Sequence, residues 1–178
     1  MGALLNTTGI GVMSEGKQGV AGEQGRRGFE RISEHVDNLL HQTKTFHDRI
    51  IEETGGTPGI RDEGGLRSAV AAPFASFGGE MLHQTVFNQA AALMRSLIQN
   101  HPYVDGNKRV GFAMTEWYLF EHGYGLRDDV PDDEIFDFIV GVAKGEAAVG
   151  EISTWLETHS DQASARNFVQ LMQKLAQV

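Results

Sequence analysis

Cysteine is absent from the 178-residue chain. That excludes a disulfide framework, a thiolate metal site and a cysteine nucleophile. Long hydrophobic runs are missing too. None approaches the ~18 apolar residues of a membrane span. Ala3-Leu4-Leu5 runs straight into Asn6 and Thr7, not into the roughly 7–15-residue apolar stretch of a secretory signal. A soluble cytoplasmic protein is the expectation. Positive charge is in deficit, with 15 Lys and Arg against 24 Asp and Glu, a formal charge of −9 and a pI of about 5.2. Direct nucleic-acid binding, which needs a cationic surface, is not expected. There is no internal repeat and no long alternation of polar and apolar residues. The fold class is therefore all-α, with at most a small β-hairpin between 55 and 62 or near 73–80.

What is present is helical spacing. Residues 1–28 hold eight of the 22 glycines and few large apolar residues, which predicts a flexible tail. From Phe29 to Ile51 the apolar residues recur at helical intervals and predict one long amphipathic helix over 29–53. Gly55-Gly56-Thr57-Pro58-Gly59 forces a turn. A short helix follows Asp62 and ends at Pro73. A helix over 80–99 buries Leu82, Val86, Phe87, Leu93 and Leu97, and His101-Pro102 interrupts it. The next starts near Asn107, runs through Trp117 and Phe120 with both in the core, and stops at Gly123. Pro131 suits the first position of another helix, with Asp132, Asp133 and Glu134 in its first turn. Helices over 149–159 and 163–177 complete the chain.

The polar run His101-Pro102-Tyr103-Val104-Asp105-Gly106-Asn107-Lys108-Arg109 joins two apolar helices. A helix N-terminus presents unpaired N–H groups and favours negative charge. Gly106 permits close backbone approach. Lys108 and Arg109 add two cations. Their position opposes the helix dipole, which argues for a bound anion as the reason for them. Asp105 is a hard oxygen ligand suited to a metal–nucleotide complex. The imidazole of His101 is a serviceable base near neutral pH. These are the parts of phosphoryl or nucleotidyl transfer.

The run resembles the signature of the Fic/Doc superfamily, in which His-Pro-Phe is followed by an acid, Gly-Asn and a basic residue. Tyr103 stands where the family usually has Phe. Lys108 replaces the second glycine of the central Fic branch, and Phe112 occupies the place of its second arginine. Both changes match the Doc (death-on-curing) branch. Phe46-His47-Asp48, the segment Gly55 to Asp62, and Val142 to Trp155 extend the resemblance over about 40–160. The implied layout is a tail over 1–28, a Fic/Doc helical bundle over 29–160 and a helical extension over 161–178.

The resemblance implies that His101 deprotonates a hydroxyl of a target protein and that Asp105 holds Mg²⁺. It implies that Gly106 and Asn107 form an anion nest and that Arg109 binds nucleotide phosphates. Lys108 then decides between phosphate transfer, as in Doc, and AMP transfer, as in Fic. The leading expectation is a Doc-like toxin that phosphorylates a Ser or Thr of a translation component from Mg-ATP, with elongation factor Tu as the family's expected target. The alternatives are Fic-type AMP transfer and a non-catalytic Fic-fold binding module. No inhibitory Ser/Thr-x-x-x-Glu-Gly or Glu-Asn motif is present. Restraint by a separate antitoxin chain is therefore implied, and residues 55–62 are candidates for the flap that aligns a target.

Blander readings compete at several positions. Asn107 could cap its helix. His35, His41 and His47 are spaced by six, about 240° apart, so they share no helix face. His47-Asp48 resembles the metal dipeptide of HD phosphohydrolases, but lacks that family's supporting pattern, and a helix-surface pair is the simpler reading. The six acids between Asp128 and Asp137 are most simply a solvated helix start.

Overall fold

The computed structural model describes residues 15–162. The first part of the expected tail, and the expected helix over 163–177, lie outside the described residues. Six helices are described: α1 (Glu15–Thr54), α2 (Glu63–Ala71), α3 (Val86–Asn100), α4 (Asn107–Glu121), α5 (Asp132–Lys144) and α6 (Val149–His159). Two antiparallel strand pairs accompany them: β1 (Ser76–Phe77) with β2 (Glu80–Met81), and β3 (Tyr124–Leu126) with β4 (Ser160–Gln162). The all-α class therefore holds, with strands confined to two- and three-residue pieces.

The chain divides into two compact units, the first ending at His35 and the second beginning at Val36. Helix α1 is assigned from Glu15, earlier than the expected start at 29. Within the second unit, α1 buries Val36, Leu39, Thr43, Phe46 and Ile50. Their alternating three- and four-residue spacing makes one apolar stripe. Buried Thr43 is satisfied locally, its hydroxyl donating to the Leu39 carbonyl at 2.7 Å.

Helix α3 is the centre of this unit. It packs against α2, α4, α5 and α6. Eight of its residues are buried, including the consecutive run Ala90 to Met94. A consecutive run covers every side of a helix, so α3 is enclosed and not merely docked on one face. Helix α4 approaches it closely at Gly111, where a Cβ would lie 2.6 Å from Ile98 Cγ1 and 3.5 Å from the Met94 carbonyl oxygen. The two helices that flank the polar run are thus locked together one turn beyond it.

Several expectations change. Helix α3 starts at Val86, not 80. Thr85 caps it, accepting from Asn88 N at 3.1 Å. The preceding residues form a hairpin instead, because Gly78 and Gly79 both take positive φ (62° and 90°), as a two-residue loop requires. Leu82 is 60% exposed as a result, not buried. Phe120 is also exposed, on the outer side of the last turn of α4. Pro131 is the N-cap of α5, one position before that expected, and Ile135, Ile139 and Val142 form the buried face. Asp161 and Gln162 belong to strand β4, not to a helix. No helix among the described residues is long and apolar enough to cross a membrane.

The Gly111 contact gives a direct test. Gly111→Ala should destabilise the protein by about 1–3 kcal/mol in urea denaturation, because the added methyl overpacks the α3–α4 crossing. Combined with Ile98→Ala, the loss should be smaller than the sum of the two single changes.

Candidate active site

The polar run is a loop with very little freedom. Helix α3 ends at His101, which adopts a left-handed conformation (φ 51°, ψ 50°). This costs a non-glycine residue roughly 1–2 kcal/mol, so the surroundings must hold it. The Arg61 guanidinium donates to the His101 carbonyl. The Pro102 carbonyl accepts from Arg61 N at 2.7 Å and from Asp62 N at 3.0 Å. Val104 N donates to the Gly59 carbonyl at 3.0 Å, and Ile60 bridges to Tyr103. Segment 59–62 is therefore a strap bonded along the motif. It is not the hairpin; that element is Ser76–Met81.

Asn107 closes the loop from the other side. Its Oδ1 accepts from Tyr103 N and its Nδ2 donates to the Tyr103 carbonyl, both at 2.9 Å. These partners fix which end of the amide is which. Nδ2 therefore faces His101 Nδ1, 3.1 Å away. An N–H aimed at Nδ1 makes that nitrogen the lone-pair site of the neutral ring and leaves the hydrogen on Nε2. Asn107 does not cap α4. Gly106 occupies the cap position at φ 78°, and the Asn107 side chain is buried in the loop.

Asp105 projects from the loop with its side chain about half exposed. Its Oδ1 accepts from Gly106 N at 2.6 Å and from Arg109 Nη2 at 3.4 Å, and its Oδ2 accepts from Thr57 N at 3.3 Å. The backbone N–H of Gly106, then that of Thr57 and the Arg109 charge, hold this carboxyl below the usual aspartate range. Gly56, at φ 126°, is what allows the turn after α1 to lie so close, since a Cβ there would be 2.6 Å from Asp105 Oδ2. Arg109 reaches the same turn. It donates to the Thr54 hydroxyl and, at 2.8 Å, to the Gly55 carbonyl, which places a cation at the negative end of α1.

His101, Asp105, Gly106, Asn107, Lys108 and Arg109 line one cavity of about 540 Å³, together with Thr54, Val104 and Ala143. The size suits a small-molecule ligand. Every residue singled out from the sequence is thus brought to one place. Lys108 has no hydrogen-bond or ion-pair partner among the described residues, whereas Arg109 is committed to the end of α1. Among the described residues, no group of three or more His, Asp or Glu side chains gathers into a metal cage. A single carboxylate beside a cationic cavity fits Mg²⁺, which keeps several waters and takes ligands from phosphates.

The residue that sequence reasoning misplaced is His47. It is not on the surface but 1% exposed. Its ring stacks on Tyr103 at 3.9 Å and 7°, and its Nε2 donates to the Asp105 carbonyl at 3.2 Å. The sequence did carry a signal, because His47 lies next to Phe46 and one turn before Ile50 and Ile51 on the buried stripe of α1. Tyr103 itself is 1% exposed, and its hydroxyl has no hydrogen-bond partner among the described residues. Burial, followed by the charges of Asp48 and Glu63, pushes that phenol's pKa well up.

The Fic/DOC family model matches residues 38–119, from the buried part of α1 to near the end of α4. The chain is 36% identical over 102 residues to a protein named Toxin Doc from Mycolicibacterium smegmatis, covering 57% of this chain and 78% of that protein. The chain belongs to the Fic/DOC family, and its motif is of the Doc type.

Two outcomes follow from the buried and ionised groups. Tyr103→Phe removes an unsatisfied hydroxyl and keeps the ring, so it should leave stability unchanged or raise it by about 1 kcal/mol in chemical denaturation. Asp105 has a folded-state pKa below its unfolded value. Its stabilising contribution is therefore complete above the ordinary aspartate pKa and is lost as pH falls through the depressed value. The stability difference between wild type and Asp105→Asn should be constant above about pH 5 and shrink on further acidification. A difference that persists unchanged to about pH 2 would contradict the assigned contacts.

Proposed function

We propose that this protein is a Doc-type toxin that transfers the terminal phosphate of Mg-ATP to a Ser or Thr hydroxyl of a target protein. The observation that carries the reading is the convergence of His101, Asp105, Lys108 and the N-terminus of α4 on one cavity. His101 is the base for the target hydroxyl. Asp105 would hold Mg²⁺, which supplies positive charge against the phosphates. The first-turn N–H groups of α4 and the Lys108 ammonium receive the transferring group. Arg109 completes the positive side of the cavity while tying it to α1. A residue with charge and bulk at 108, where AMP-transferring relatives of the resemblance have glycine, supports phosphate over AMP transfer.

The relative named as a toxin supports a toxin role, and the Doc resemblance supports action inside the cytoplasm on a translation component, with elongation factor Tu the first target to try. They also support control by a separate antitoxin chain. With a target lysate, γ-labelled but not α-labelled ATP should label protein. His101→Ala should reduce labelling about 10²–10⁴-fold, and Lys108→Gly should lower phosphate transfer. Label from α-labelled ATP alone would replace this reading with AMP transfer. No covalent label, with toxicity retained in His101→Ala, would indicate a binding module.

A further inference from the structure

We infer that His47 is a positioning residue, which locks the peptide unit between Asp105 and Gly106 so that the Asp105 carboxylate faces the cavity in one orientation. The inference rests on the reading of Asp105 as the carboxylate that receives the divalent cation.

The chain of contacts is short. The carbonyl of Asp105 and the N–H of Gly106 belong to one planar peptide and point in opposite directions. His47 Nε2 donates to that carbonyl at 3.2 Å. Gly106 N, on the other edge of the same plane, donates to Asp105 Oδ1 at 2.6 Å. One hydrogen bond from the buried side therefore sets the direction of the other, and the second holds the carboxylate. The plane needs such a lock. Gly106 stands at φ 78° and, as a glycine, resists rotation of the preceding peptide least of any residue. With the carbonyl released, the N–H can turn away from Oδ1 and the carboxylate loses its shortest contact.

His47 is built for this and not only for packing. The ring lies flat on Tyr103, at an interplanar angle of 7°, which leaves its nitrogens at the edge and in plane. A phenylalanine could make the same stack but not the donation. Nδ1 lies 3.3 Å from the carboxylate of Asp48, whose side chain is largely exposed, so that contact is the weaker of the two. A carbonyl only accepts, so the contact to Asp105 needs a hydrogen on Nε2; the Asp48 carboxylate, acceptor-only as well, competes for the ring hydrogen through Nδ1. The contact spans 58 residues and connects the buried face of α1 to the motif. Residues that orient a metal-binding group from behind typically change metal affinity about 10–100-fold when replaced.

The test uses the full chain and two readouts. In the first, ¹⁵N–¹H correlation of the wild-type imidazoles should show His47 with hydrogen on Nε2. A ring with bare Nε2 overturns the inference without any variant being made. In the second, bound Mn²⁺ is followed by electron paramagnetic resonance in the presence of ATP. His47→Phe keeps the stack and should weaken Mn²⁺–ATP binding at least about tenfold while its thermal midpoint stays near that of wild type. His47→Gln can still present an N–H to the carbonyl and should stay within about threefold of wild type. Wild-type affinity in His47→Phe, or equal impairment in both variants, overturns the assignment. If wild type binds Mn²⁺–ATP but transfers nothing, the transfer reading fails and the role of His47 is still decided by the variants. If wild type binds no Mn²⁺–ATP, the metal-carboxylate reading fails and the role of His47 toward the cation falls with it.

Discussion

The site depends on one side chain holding one backbone residue. Asn107 grips both polar groups of Tyr103, and so closes a tight loop between the end of α3 and the start of α4. The Tyr103 backbone is buried, and each of its polar groups would cost about 1–3 kcal/mol if left unbonded. The same amide meets His101 and sets its tautomer. Remove that grip, and the left-handed His101, the direction of Asp105 and the first turn of α4 are no longer linked. A buried amide thus links the two ends of the loop.

Around that loop the fold divides its labour. Helices α3 and α4 supply a stiff apolar frame, with Gly111 bringing them close. Helix α1 supplies the back wall, with His47 beneath the loop and its last residue, Thr54, against Arg109, while the turn that follows it meets Asp105 and Arg109. The strap at 59–62 lies along the outer edge. Charge is arranged to match. The chain carries −9 overall, yet between His101 and Arg109 there is one acid against two fixed cations. The acids are instead gathered elsewhere, with six between Asp128 and Asp137, three of them in the first turn of α5 where the dipole favours them. An acidic protein can in this way keep a locally cationic cavity.

Much of this was legible from spacing and chemistry. The helices over the buried part of α1 and over α2, α4, α5 and α6 follow from 3.6-residue periodicity, and the motif residues all reach one cavity. What periodicity could not separate was decided by local backbone chemistry. Glu80 to Leu82 continue the apolar spacing of α3, but paired glycines at 78 and 79 make a hairpin and Thr85 supplies a later start. Phe120 fits the pattern of α4, yet the helix end turns it outward. Strands β3 and β4 are three residues each and distant in sequence, too short for alternation to register. His47 was discounted because the three regularly spaced histidines share no face, although its own neighbours place it on the buried stripe. Segment 55–62 reads as a turn and a candidate hairpin or flap, and only the backbone bonds of 59–62 to 102–104 reveal a strap. Long-range backbone pairing of that kind leaves no local trace.

The most direct measurement is amide hydrogen exchange at Tyr103 in the protein without nucleotide or metal. If the Asn107 side chain assembles the loop in advance, the Tyr103 N–H should exchange as slowly as the buried amides of α3 and α4, and Asn107→Ala should abolish that protection while the helices keep theirs. Exchange of Tyr103 at open-loop rates in wild type, with protection gained only when ligand binds, would contradict the account.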